Sequence, residues 1–137
     1  MRILLTRSVA FTARHSLAFR DRSAGENRSR FGALAEPHEH RYTCAVTVAG
    51  TPAPRTGMVM DLVELDRILA DEVTGRLDGT DLNQSLDAAR AGAALPVCEA
   101  IASELFGRIL GRLPTGVSLE RVRIEEAPDL AAECRAG

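Results

Sequence analysis

EPHEHRYTCAVTV, residues 36–48, places two of the chain's three histidines one residue apart at the head of an alternating run. Tyr42, Cys44, Val46 and Val48 form one apolar face, with Arg41, Thr43 and Thr47 on the other. That period of two is a strand with one side buried. His38 and His40 share the parity of the buried side, so both imidazoles point the same way.

The third histidine fits the same geometry. Residues 3–14 read as a second strand, with Ile3, Leu5, Val9, Phe11 and Ala13 on one face and Arg7 as the exception. His15 continues that face. If the two strands pair antiparallel, all three imidazoles converge on the inner side of one sheet. Three histidines with an open fourth position is the donor set of a catalytic zinc, held at ~2.0–2.1 Å per nitrogen. Cys44 is a poor fourth ligand, because four residues along a strand is roughly 13 Å from His40.

Outward from these strands, 137 residues make one domain, 1–137, with a modest core. A net charge of −2 excludes a global field that would recruit nucleic acid or a membrane surface. No stretch reaches the ~20 apolar residues of a membrane span, and the N-terminal apolar run is too short for a signal peptide. Cys44, Cys98 and Cys134 are an odd number without CxxC spacing, which points to free thiols and a cytoplasmic location.

Residues 20–37 lack periodicity and read as a loop carrying Arg20, Arg22, Arg28 and Arg30. The turn-rich "GTPAPRTG" leads into "MVMDL" and suggests a hairpin. Asp61 and Glu64 have capping-box spacing ahead of a helix bearing Leu62, Leu65, Ile68, Leu69 and Val73, which ends near Gly75. Pro96 opens a second helix with the stripe Val97, Ile101, Leu105, Ile109 and Leu113. "VSLERVRIEE" is a strand, and a short final strand falls in residues 130–135.

Six blocks in order resemble the 6-pyruvoyl-tetrahydropterin synthase and 6-carboxytetrahydropterin synthase family, the latter of the queuosine pathway. Phe11-Thr-Ala13-Arg-His15 is similar to F-x-A-x-H, and His38-Glu-His40-Arg-Tyr42 to H-G-H-x-Y. Gly57-Met58-Val59-Met60-Asp61 resembles G-M-V-M-D, and Leu77 to Asn83, "LDGTDLN", resembles L-D-H-x-x-L-N. Pro96-Val97-Cys98-Glu99 resembles P-T-x-E, and Val122 to Glu126, "VRIEE", resembles V-x-V-x-E. The resemblance implies an α+β tunnelling fold: a four-stranded antiparallel sheet with two helices on one face, oligomerising into a barrel. It also implies zinc on His15, His38 and His40, a pterin substrate, and active sites at the subunit boundaries of a hexameric or trimer-based homo-oligomer. A carboxylate near the C-terminus should hold the pterin. Parity selects Glu126 over Glu125, because Glu126 shares the face of Val122 and Ile124. Glu99 and Cys98, in the P-T-x-E block, are further candidates for contact with the substrate.

Two departures bear on the chemistry. Where the family carries a cysteine before H-G-H, this loop reads "GALAEP" without a thiol, and the family's motif histidine position is Gly79. With all three histidines assigned to metal, no imidazole remains as a general base. Glu36 and Asp78 are the candidates to move protons. A glutamate in this loop resembles a subgroup of the family that favours cleavage of the substrate side chain. A zinc-containing homologue that binds its ligand without turnover is the rival reading.

Overall fold

The computed structural model describes residues 1–137. Strand β1 (Ile3–His15) pairs antiparallel with β2 (His38–Gly50), β2 with β3 (Ser118–Ala127), and β3 with β4 (Leu130–Arg135), in the order β1-β2-β3-β4. Alternation is borne out: Phe11, Ala13 and His15 on β1, and Tyr42, Cys44, Val46 and Val48 on β2, are buried on one face. The first residues of β1 are exposed.

That face is covered by helices, and the core lies between. Helix α1 (Ala24–Phe31) and a 3-10 turn (Gly32–Ala35) occupy the segment read as a loop. The reading failed because α1 has no apolar stripe; its one buried residue is Asn27. A signal was present, since Ser23 and Glu26 form a full capping box.

Helix α2 (Leu62–Leu69) runs through a π turn (Ala70–Thr74) into α3 (Gly75–Leu77). Asp61 caps α2 by accepting from the Val63 N–H, so the capping-box partner expected at Glu64 is not used. At the π turn only glycine fits position 75, where a Cβ would lie 2.6 Å from the Ala70 carbonyl oxygen. Two short helices follow, α4 (Leu82–Ser85) and α5 (Asp87–Arg90). Helix α6 (Cys98–Leu110) packs over β3 and β4 with Ile101, Leu105 and Ile109 fully buried.

The expected hairpin at residues 57–61 is corrected. Both edges of β2 are taken by β1 and β3, so no ladder was left for it. A turn closes there through Gly57 N to Ala53 O (2.8 Å) and Ala53 N to Met58 O (2.9 Å).

The outer edge of β1 is covered by the "LDGTDLN" segment. Asp78 Oδ1 accepts from Thr12 N at 2.9 Å, Gly79 N donates to Thr12 O at 2.7 Å, and Arg14 N donates to Thr80 O at 2.9 Å. Asn83 then brackets Ser16, accepting from its N–H at 2.9 Å and donating to its carbonyl at 3.0 Å. Edge donors that would invite another chain are satisfied here, and the strand is clamped on both sides of His15.

Candidate metal centre

Register brings the histidines together. His15 is the cross-strand partner of His38, and Ala13 is that of His40, at one end of the β1–β2 ladder. One ligand atom from each imidazole lies within 4.8 Å of the other two.

Two of the three rings are oriented from behind. His15 Nδ1 lies 2.7 Å from the Pro96 carbonyl and His38 Nδ1 lies 2.8 Å from the Glu36 carbonyl. A carbonyl only accepts, so both Nδ1 atoms carry the proton and both Nε2 atoms are left with a lone pair. The Nε2 atoms of His38 and His40 are buried without a hydrogen-bond partner. Orphaned buried nitrogens are costly, and three imidazole nitrogens converging on one point are a donor set that suits a zinc ion. The residues present therefore fit the metal. Burial also lowers the pKa of His15, which keeps that imidazole neutral.

Glu126 enters from β3 with its side chain 13% exposed, as parity requires, while Glu125 pairs with Arg123 instead. Its oxygens lie 3.6 Å from His15 Nε2 and 3.6 Å from His40 Nε2. Tyr42, buried and stacked on Phe11, lies against it with its hydroxyl 3.4 Å from His15 Nδ1. Burial, then the Glu126 charge, pushes the Tyr42 phenol well above its usual range. The sequence reading placed Tyr42 on the apolar face and in the H-G-H-x-Y block but gave it no contact in the site; its place two residues beyond His40 was the available signal.

The other candidates sit differently. Cys98 is buried in the core beside Glu126, and its thiol is pushed up to about 11, chiefly by burial. It is a packed thiol, with the helix N-terminus overridden. Glu99 is exposed in the first turn of α6. Asp78 is exposed, with its carboxylate engaged by the Thr12 N–H. The Glu36 carboxylate points to Arg28 at 3.1 Å in solvent, and only its carbonyl reaches His38. Gly79 adopts φ 73°, a conformation that disfavours the histidine found there in the family pattern. The four loop arginines all have partners: Arg20 on the Ala89 and Arg90 carbonyls, Arg22 on Glu26, Arg28 on Glu36, and Arg30 over the rings of Phe19 and Phe31.

Comparison with known proteins gives the family and the fold. A family model described as 6-pyruvoyl tetrahydropterin synthase matches residues 4–137. The chain is 32% identical over 124 residues to the Homo sapiens 6-pyruvoyl tetrahydrobiopterin synthase, covering 89% of this chain and 83% of that one. The structure of the Caenorhabditis elegans 6-pyruvoyl tetrahydropterin synthase superposes with TM-score 0.86 at 24% identity, over 100% of this chain and 97% of the other. Two variants of the Plasmodium vivax synthase, in which a catalytic glutamate is replaced by cysteine or alanine, share the fold with TM-score 0.69 at 16% identity, over 99% of this chain and 98% of theirs.

Proposed function

The chain belongs to the 6-pyruvoyl tetrahydropterin synthase family, and from that premise we propose that it is a zinc-dependent lyase acting on 7,8-dihydroneopterin triphosphate or a related reduced pterin. The observation that carries the reading is the convergence of His15, His38 and His40, with the Nε2 atoms of His38 and His40 buried and unpartnered. A bound zinc would acidify side-chain hydroxyls of the substrate.

The chain's own residues supply the rest. Glu126, mostly buried, accepts two hydrogen bonds from the amino group and ring N–H of the pterin and so fixes its orientation. The Pro96 and Glu36 carbonyls hold the protons of His15 and His38 away from the metal side. Glu36 carries protons to and from the substrate side chain. Its pairing with Arg28 is exposed on both partners and is worth no more than about 1 kcal/mol, so little holds the carboxylate away. Asp78 serves the β1 edge instead. The active site is completed at a boundary with a second copy of the chain, where the exposed Glu36 loop would meet the substrate.

With a glutamate in the loop where the family carries its thiol, cleavage of the substrate side chain is the alternative outcome. Zinc-loaded protein incubated with 7,8-dihydroneopterin triphosphate should yield a pterin of altered mass. Unchanged substrate at stoichiometric protein would leave the rival, a pterin-binding homologue without turnover.

A further inference from the structure

The sheet face turned away from the core carries one row of residues paired strand to strand: Thr6 with Thr47, Thr47 with Arg121, and Arg121 with Arg135. A register shift after Thr47 pairs Val48 with Leu119 and leaves Glu120 as an extra residue on β3. This bulge turns Glu120 and Arg121 outward together, between the buried Leu119 and Val122. With Leu4, Thr6, Thr47 and Arg135 they line a cavity of about 360 Å³. Two guanidiniums directly opposite one another across a ladder repel. Arg135 answers to Glu133, Arg123 to Glu125 and Arg2 to Glu120. Arg121 has no carboxylate of its own: its Nε donates to Thr47 Oγ1 at 3.2 Å, and the rest of its fork is free. Glu133 already serves several cations, since the hydrogen bond from Arg135, aided by the charges of Arg121 and Arg123, holds its carboxyl below the ordinary range. Thr47, 3% exposed, lies 2.7 Å from the Thr6 hydroxyl. Accepting from Arg121, it can donate to Thr6 and so free the exposed Thr6 O–H to donate outward.

We propose that the row of Thr6, Thr47, Arg121 and Arg135 is a binding site for a short phosphate chain. The planar fork of an arginine matches phosphate oxygens two at a time, and hydroxyl donors complete the cradle. A phosphate oxyanion supplies the negative charge that Arg121 lacks and relieves its repulsion with Arg135. The size of the cavity suits a small molecule. His15 stands roughly 30 Å further along β1 and on the opposite face, so this site is separate from the histidine centre and does not depend on it.

Isothermal titration calorimetry at fixed ionic strength tests the full-length protein against sodium triphosphate and, separately, ATP. Arg121→Met should bind whichever probe titrates the wild type about 10-fold or more weakly. Arg135→Met, on a side chain 67% exposed, should also weaken it and carries the test should Arg121→Met fail to fold. Arg41→Met removes the same charge from the same face, about 20 Å from Thr47 along β2, and should bind like the wild type. His40→Ala should do so too. Circular dichroism checks that each variant is folded. Binding of triphosphate alone assigns a free phosphate chain, and binding of ATP, alone or as well, assigns one borne on a larger molecule; each supports the proposal. No binding of either probe by the wild type, an equal loss in Arg41→Met, or a loss in His40→Ala would overturn it. So would sedimentation in which Arg121→Met changes the oligomer mass while phosphate binding is untouched, which would give this face to a second copy of the chain.

Discussion

His15 Nδ1 lies 2.7 Å from the carbonyl oxygen of Pro96, a residue 81 positions further along the chain. This contact joins the end of β1 to the entry of α6 and selects the tautomer that a metal ligand needs. Tyr42, with its hydroxyl 3.4 Å from the same nitrogen, is the weaker partner. Tyr42→Phe should therefore keep its zinc and lose about 1 kcal/mol of stability. Metal analysis beside a urea unfolding curve checks both.

Asp78 presents a cleaner choice between structure and catalysis. Its Oδ1 accepts the Thr12 N–H on the β1 edge, and an amide oxygen does the same. Asp78→Asn should unfold like the wild type and turn over normally, whereas Asp78→Ala should lose about 1–2 kcal/mol. Loss of turnover in a stable Asp78→Asn would make Asp78 a proton carrier.

For Glu36 the expectation runs the other way. Glu36→Gln should slow turnover by about 10²-fold or more, with zinc content intact and stability within roughly 0.5 kcal/mol of the wild type. Single-turnover product analysis decides the first point. Full activity in Glu36→Gln would remove it from the proton path.

An exposed pair on the other end of β1 gives a pH signature. Arg7 binds Asp66 of α2 through two hydrogen bonds, at 2.8 and 2.9 Å. The hydrogen bond from Arg7 holds the Asp66 carboxyl below its ordinary range. A depressed carboxylate contributes stability above its unfolded pKa, and that contribution is lost as pH falls through the folded value. Arg7→Met should thus be less thermostable than the wild type near neutrality, and the gap should close below pH ~4. It should also shrink with added salt. A gap that widened in acid would contradict the assignment.

How much of this was legible beforehand depended on how each group is held. The histidines and Glu126 were readable because strand alternation dictates where a side chain points, and burial enforces the register. Tyr42 followed the same rule, yet parity alone does not reveal that its hydroxyl meets His15. The "LDGTDLN" segment was visible as a motif, but its work is done by backbone groups on a strand edge, which no side-chain pattern encodes. Helix α1 was hidden because it buries almost nothing, leaving only Ser23 and Glu26 to mark it. Glu36 was placed near the three histidines by chain proximity; two residues of separation brought its carbonyl to His38 and sent its carboxylate to Arg28.

The most direct test is elemental analysis of untagged protein purified without chelators, alongside folded His40→Ala. One zinc per wild-type chain and close to none in the variant is the predicted result. A metal-free wild type, or a variant that keeps its full complement of zinc, would contradict the three-histidine centre.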